Sequence, residues 1–200
     1  AGDPTILTSV LPDGAVDQAY GPVALGLSGG QPPVSWQIVA DVPYLESDLG
    51  TSGFAEVGVA QGFNGDDQFW NYTLPFPFPF YNDTYTELRV WSNGFLNFGP
   101  HNGSGYNNSA ALLVSNRRIA PLWDDLRTTG PGEDIFIDTS VLGEVTFRWY
   151  ASTYVGGVVV NVAVTLHDDG AIDFHYGPGN GPVTPTIGVS DGDGVRNTLS

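Results

Sequence analysis

Apolar residues in this 200-residue chain either alternate with polar ones or run in short blocks rich in Val, Ile and Phe, between clusters of Gly, Pro, Asn and Asp. This pattern is typical of β-strands joined by turns. One short helix is expected, at residues 109–116. Many short strands with regular turns predict an all-β protein built as a sandwich. The predicted strands are Val34–Val39, Glu87–Trp91, Gly94–Phe98, Asp134–Asp138, Val145–Tyr150, Val158–Leu166, Ala171–Tyr176 and Thr186–Val189.

Individual residues predict the position of one turn, one edge strand and part of the core. His167–Gly170 is predicted to be a hairpin turn in which Gly170 takes a positive φ. Prolines alternate with phenylalanines in Pro75–Phe80, and because proline donates no backbone hydrogen bond, an edge strand or a polyproline stretch is expected there. In a strand these phenylalanines would point to one face. Trp123 and Trp149 are expected in the core.

The charge balance excludes several partners. There are 22 acidic and 6 basic residues, which give a formal charge of −16, and all six basic residues are arginines. Phosphate backbones and anionic membrane surfaces are bound mainly through Lys and Arg, so no nucleic-acid partner is expected. The sequence has no apolar run long enough to span a bilayer, so no membrane-spanning segment is expected either.

Cysteine and methionine are both absent from the sequence. Without cysteine there are no disulfides, no thiol catalysis and no cysteine-ligated metal sites. Because translation starts on methionine, Ala1 is expected to arise by proteolysis or by excision from a longer chain, and Ala-Gly fits the residues left by signal-peptide cleavage. The predicted setting is extracellular, or on the cell surface.

Residues 1–50 form a first sequence unit. They contain a turn at Leu11–Gly14, an apolar stretch from Val16 to Leu27, and a Gly-Gly-Gln-Pro-Pro run before the strand Val34–Val39. This order resembles the opening half of the immunoglobulin-like, cadherin-like repeats of secreted bacterial proteins. The closing half does not follow, so the unit is interpreted as a partial sandwich that shares strands with other units.

Residues 51–200 form a second unit, which is similar to the nidogen-type domain of matrix proteins. The matching motifs are Leu74–Tyr81, Val90–Leu96, Arg118–Asp125, Val145–Trp149, Val162–Leu166, Asp169–Ile172, Phe174–Gly177 and Pro185–Gly188. The resemblance implies a β-sandwich with structural, adhesive or matrix duties, and it does not imply catalysis. The complete fold expected is an immunoglobulin-like or jelly-roll-type sandwich preceded by an immunoglobulin-like strand segment.

The function expected is that of a non-enzymatic structural or adhesive protein, a self-assembling subunit of a surface filament or matrix. Residues 4–11 alternate in polarity and could complete the sheet of a neighbouring copy. Such a contact, repeated head to tail, gives an open fibre. The alternative, that this strand pairs within its own chain, stays open. The expected partners are copies of the chain or neighbouring repeats, with glycans as a further class.

Acidic pairs in loops are candidates for calcium, which takes several oxygen ligands from carboxylates and backbone carbonyls. The first candidates are Asp124, Asp125, Glu133 and Asp134, because one pair follows an apolar strand and the other is close in sequence. The alternative is a solvated acidic surface. If calcium binds, its addition raises the melting temperature, and an unchanged melt after chelation would contradict the prediction. No other cofactor is expected.

Four Asn-x-Ser/Thr sequons fall between residues 71 and 109. They predict N-glycosylation at Asn71, Asn82, Asn102 and Asn107. Attached sugars would mark an external face of the protein.

Two other functions compete with the structural one. Exposed aromatic side chains at Trp70, Trp91, Tyr106 and Tyr154 would suit a carbohydrate-binding module. Gly188–Gly192 matches the G-x-S-x-G pattern of serine hydrolases. That motif requires a following helix and later catalytic partners, which the Gly- and Asp-rich end of the chain does not offer.

Overall fold

The computed structural model describes residues 44–51, 54–103 and 105–200, together with two short strands nearer the N-terminus. The chain divides into two compact units, Ala1–Ala40 and Asp41–Ser200. In the first unit, β1 (Thr5–Ile6) pairs antiparallel with β2 (Leu27–Ser28). Thr5 and Ile6 belong to residues 4–11, the segment that could complete the sheet of a neighbouring copy. These two residues are paired within their own chain.

The second unit is a β-sandwich of two antiparallel sheets, as predicted. Its elements are β3 (Val59–Ala60), β4 (Phe69–Phe80), β5 (Asp83–Trp91), β6 (Phe95–Asn97), α1 (Ala110–Val114), β7 (Arg117–Trp123), β8 (Leu126–Arg127), β9 (Asp134–Asp138), β10 (Glu144–Thr153), β11 (Val159–His167), β12 (Ile172–Tyr176), β13 (Thr186–Asp191) and β14 (Asn197–Leu199). Sheet 1 has the order β12-β11-β10-β9-β3, with β8 also beside β10. Sheet 2 has the order β14-β13-β7-β6-β5-β4.

Most of the predicted elements are confirmed. Seven of the eight predicted strands coincide with β5, β6, β9, β10, β11, β12 and β13. The eighth, Val34–Val39, lies outside the described residues. The predicted helix is α1, and Ser109 caps it by accepting a hydrogen bond from Leu112 N at 3.2 Å. The hairpin turn at His167–Gly170 is also present, with Gly170 at a φ of 94°.

The main core fills the space between the two sheets. Phe78 and Phe80 are completely buried there, and Phe76 packs against the same cluster, so the phenylalanines of the proline-rich segment do point to one face. The indole Nε1 of Trp149 donates to the carbonyl of Trp91 at 2.7 Å, which satisfies its polar atom inside the core. Pro75–Phe80 belongs to β4, the outermost strand of sheet 2, as the prolines predicted.

A second hydrophobic cluster lies apart from the main core and is built around α1. It contains Trp91, Phe95, Leu113, Ala120 and Trp123. Trp91 and Phe95 are opposite each other in the β5–β6 pair, and their rings stack with centroids 5.2 Å apart. The Nε1 of Trp123 donates to the carbonyl of Gly105, which ties the preceding loop to this cluster.

The second cluster also holds a buried guanidinium. Arg118 lies with its Cζ 4.0 Å from the ring centroid of Phe95 and 4.0 Å from that of Trp123. Its Nη2 is 2.8 Å from Nδ1 of His101. Burial lowers the pKa of Arg118 to about 9. The two aromatic faces thus provide part of the stabilisation that water would otherwise give to this charge.

Residues 44–50 pack on the sandwich, although the sequence placed them in the first unit. The ring of Tyr44 lies 5.5 Å from that of Phe80 and 5.1 Å from that of Tyr81. Its hydroxyl donates to the carbonyl of Gly170 at 3.1 Å. The helix found in the described part of the chain has five residues. No helix in that part is long and apolar enough to cross a membrane.

Candidate functional site

Two of the predicted calcium ligands hold backbone amides in the structure. Asp134 is buried, and its carboxylate accepts hydrogen bonds from the N–H groups of Gly62, Phe63 and Ile135 at 2.7–2.9 Å. Glu133 accepts one from the N–H of Gly130 at 2.6 Å. These two carboxylates therefore fix the loop between β8 and β9 and the segment before β4.

The other two predicted ligands lie in the turn between β7 and β8. Asp124 accepts hydrogen bonds from the N–H of Asp125 at 2.9 Å and of Thr184 at 3.1 Å. The carboxylate of Asp125 meets those of Asp66 and Asp67, and one oxygen of each lies within 4.8 Å of the others. Among the described residues, the structure thus groups Asp125 with Asp66 and Asp67, and it does not bring the four predicted residues together.

Backbone pairing brings this acidic cluster, Asp66, Asp67 and Asp125, together. Asp66 forms an isolated β-bridge with Arg127, and Asp67 accepts a hydrogen bond from Asn93 Nδ2 at 2.8 Å. Burial first, and then Asp67, Asp66 and Asp124, raise the pKa of Asp125. Burial and Asp67 raise the pKa of Asp66, while Arg127 opposes them.

Three converging carboxylates offer hard oxygen ligands of the type that calcium takes. The sequence shows Asp66 and Asp67 as an acidic pair. Their meeting with Asp125 depends on β8 lying beside the segment before β4, for which the sequence has no signal. The calcium site at Asp124, Asp125, Glu133 and Asp134 stays a prediction, and of these four Asp125 is the one that lies in a carboxylate cluster of the described residues.

The four sequon asparagines are all exposed. Asn71 lies in β4, Asn82 in the turn between β4 and β5, and Asn102 and Asn107 in the loop before α1. The structure therefore leaves each of them accessible to a modifying enzyme, while glycosylation itself stays a prediction.

Two of the four aromatic residues proposed for sugar stacking are exposed. Tyr106 is 49% exposed and Tyr154 is 53% exposed. Trp91 is buried in the second hydrophobic cluster, so the prediction for it is wrong. Trp70 is half-buried and stacks on Phe63 with ring centroids 4.9 Å apart.

Three loops of the sandwich carry no charged residue. They are residues 99–109, 154–158 and 177–185, and they contain many Gly, Asn, Pro and Tyr residues. Asn108 Nδ2 donates to the carbonyl of Thr184 at 2.7 Å, and Asn180 N donates to that of Val159 at 2.9 Å. We call these residues the uncharged loop end. Asp124 lies at its rim, bonded to the N–H of Thr184.

The two sides of the sandwich differ. On one side a groove of about 700 Å³ lies between β12 of sheet 1 and β13 and β14 of sheet 2, with residues 44–50 along it. We call this groove the open seam. Its lining includes Ile172, Phe174 and Val189. Leu45 and Leu49 of the same lining are 85% and 64% exposed.

The far edges are β4 in sheet 2 and β3 in sheet 1. In β4, Pro75, Pro77 and Pro79 cannot donate backbone hydrogen bonds, and the pairing with β5 is irregular between Thr73 and Phe78. β3 has only two residues. Short strands and prolines are the means by which natural sheets prevent edge-to-edge pairing.

His167 and the serine of the hydrolase-like motif have structural contacts. His167 lies 3.0 Å from Asp173 and 3.7 Å from Glu144. Ser190 is buried within β13, where its hydroxyl donates to the carbonyl of Val114 and accepts from the N–H of Gly192.

The fold defines a two-sheet β-sandwich module whose two sides differ, with prolines and a two-residue strand at the edges of one side and a groove on the other. The family model described as NIDO related matches residues 49–200, which is most of the chain. The chain belongs to the NIDO-related family, as its resemblance to nidogen-type domains implied. This membership indicates an extracellular type of module. No curated protein and no solved structure matches the chain.

Proposed function

We propose that the chain is a non-enzymatic structural or adhesive module at the cell surface that joins copies of itself into a filament or matrix. The observation that carries this proposal is the difference between the two sides of the sandwich. Three prolines obstruct strand addition at β4, and β3 is only two residues long. The open seam instead presents the edge strand β12 and apolar side chains.

A module with one receptive side joins its neighbours directionally. If each copy donates a segment and accepts one at a different place, the contact is heterologous, and repetition gives an open fibre. Main-chain hydrogen bonds to the added strand supply affinity, and alternate side chains supply specificity. The NIDO-related family indicates an extracellular type of module, and the sequon asparagines are exposed. Both observations are in keeping with such a role.

Electron microscopy of the purified native material tests this proposal. The expected result is regular fibres, with an intact mass above 21.3 kDa where the sequons carry sugars. A variant that lacks residues 1–10 is expected to stay folded and monomeric. Normal fibres from this deletion would exclude strand donation by these residues, and monodisperse wild-type particles at every concentration would exclude self-assembly.

A second candidate function is carbohydrate binding at the uncharged loop end. Tyr106 and Tyr154 are exposed there, and loops rich in Tyr, Gly and Asn are typical of adaptable recognition surfaces. Because the chain carries a charge of −16, the expected ligand is a neutral polysaccharide.

Isothermal titration with soluble dextran and laminarin, and with anionic alginate for comparison, tests this candidate. Binding of a neutral polymer that Tyr154→Ala weakens at least tenfold, and Leu142→Ala leaves unchanged, would support it. Leu142 is a fully exposed side chain in the β9–β10 loop. If all three polymers give equal heats, or if none gives a heat of binding, carbohydrate binding at the uncharged loop end is excluded.

A further inference from the structure

We propose that the open seam accepts residues 4–11 of a second copy as a strand added along β12. The inference rests on the proposed function and names the acceptor and the donor of its contact.

β12 is the outermost strand of sheet 1. In the described part of the chain it pairs with β11, with Tyr176 opposite Val162 and Ile172 opposite Leu166. No backbone hydrogen bond among the described residues reaches β12 from its other side. Within the described part of the chain, this edge of β12 is the one that an added strand would use.

The groove beside β12 offers apolar surface to such a strand. Ile172 and Phe174 line it from sheet 1, and Val189 lines it from sheet 2. Leu45 and Leu49 lie along the same groove, and both side chains are mostly in solvent. A strand laid in the seam would cover these leucines, and removal of apolar surface from water favours association.

The backbone of residues 44–50 is held to the sandwich by few contacts. The hydroxyl of Thr198 contacts the carbonyl of Tyr44, and that of Ser200 donates to Glu46 at 2.7 Å. Glu46 and Asp48 place negative charge at the groove, together with Asp173. The seam therefore disfavours a donor strand that carries carboxylates.

Residues 4–11 match these requirements. Their sequence is Pro-Thr-Ile-Leu-Thr-Ser-Val-Leu, which has no charged residue and places apolar side chains on both faces of a strand. The pairing of β1 with β2 occupies one edge of Thr5 and Ile6. A strand has two edges, so this pairing leaves the other for β12 of a neighbouring copy.

Engineered cross-linking tests the contact cleanly, because the chain has no cysteine of its own. An isotopically labelled Ser9→Cys copy is mixed with an unlabelled Leu45→Cys copy under mild oxidation. The expected product is a disulfide-linked heterodimer of about twice 21.3 kDa, identified by its intact mass. Ser9→Cys with Leu142→Cys is the matched control, because Leu142 is equally exposed but lies outside the groove.

At least tenfold more heterodimer with Leu45→Cys than with Leu142→Cys supports the inference. Equal yields overturn it. An internal disulfide in a dilute Ser9→Cys/Leu45→Cys double variant also overturns it, because the donor is then the same chain. Fibres that form without the seam cross-link overturn the inference and leave the proposed function standing, whereas wild-type chain that never associates overturns both.

Discussion

At the scale of single residues, buried charges hold the ends of strands in place. The carboxylate of Asp191, at the end of β13, is only 2% exposed. Arg117 Nε lies 2.8 Å from its Oδ1 and donates to its backbone carbonyl, and Arg196 contacts the other carboxylate oxygen. Arg117 also reaches Asp83 at 3.0 Å and Arg196 also reaches Asp193 at 2.8 Å, so removal of the Asp191 carboxylate takes away the buried partner that the two arginines share.

We predict that Asp191→Asn lowers the free energy of unfolding by about 2 kcal/mol, the cost of losing charged hydrogen bonds to a buried carboxylate. Asp193→Asn is the control, because Asp193 also pairs with Arg196 but is exposed. The control should cost about 1 kcal/mol or less. Urea unfolding followed by tryptophan fluorescence measures both, and similar losses would contradict the prediction.

The acidic cluster is expected to destabilise the fold at neutral pH. The pKa values of Asp66 and Asp125 are raised in the folded state, so the folded chain binds their protons more readily than the unfolded chain does. Their destabilising effect is relieved as the pH falls from neutral through these raised pKa values. Asp125→Asn removes one charge without changing the side-chain shape.

We predict that Asp125→Asn raises the melting temperature at pH 7 by a few degrees at most, about 1 kcal/mol or less because these groups are partly solvated. The gain should shrink at about pH 4, near the ordinary pKa of aspartate. A variant that melts lower than wild type at pH 7 would contradict this. Wild-type melts with calcium, and then with chelator, test the calcium prediction in the same experiment.

At the scale of elements, the turn between β5 and β6 has the strictest demand for glycine. Gly94 has a φ of 77°, and a Cβ there would lie 2.0 Å from the carbonyl oxygen of Leu122. Gly132 has the same φ but open space around its Cα. The two positions separate the cost of a left-handed backbone from the cost of a steric clash.

We predict that Gly94→Ala lowers the free energy of unfolding by at least about 3 kcal/mol, from strain and overpacking together. Gly132→Ala should lower it by about 1–2 kcal/mol, from backbone conformation alone. Equilibrium denaturation of both variants checks this. Equal effects would show that the end of β7 around Leu122 yields easily to the new methyl group.

The elements that could be predicted from the sequence are those with one buried face. The range of β9 is predicted to the residue, because its three apolar residues lie between two aspartates. An apolar strand was expected before Asp124, but the bounds of β7 were not predicted, because nearly all of it is buried in the main core or the second cluster and no alternation remains. It even contains Pro121, which lies where its pairing with β13 shifts register.

The candidate site was predicted less well than the fold. The sequence predicted that acidic residues in loops are candidate calcium ligands, and Asp125 does lie close to other carboxylates. Whether a carboxylate joins such a cluster or holds backbone amides, as Asp134 does, depends on which loops pack together. The open seam is likewise a property of sheet order, and sheet order is set by contacts between residues far apart in the sequence.

At the scale of the whole molecule, a formal charge of −16 opposes any contact between copies. The proposed seam contact brings an uncharged donor strand against apolar side chains, so it contains no ion pair that salt would weaken. Salt screens the repulsion between the remaining charges, with a Debye length of about 10 Å at 0.1 M.

We therefore predict that the concentration needed for assembly falls as sodium chloride is raised from low to physiological levels. Light scattering against protein concentration, at several ionic strengths, measures it. An assembly that weakens with salt would indicate that ion pairs dominate the contact.

Replacement of Pro75 and Pro77 by threonine is expected to add a second, disordered mode of association at β4.

The proline-bearing edge of β4 also limits how a fibre of these modules can be stopped. Since one side of each copy is inert, every row of n copies has a single vacant seam, at one end only. Growth from that end could be arrested by one bound peptide per fibre, whatever the fibre's length. A synthetic peptide of residues 4–11 would therefore stop growth at that end, and because free subunits carry the same vacant seam, the amount needed would rise with the concentration of free subunits.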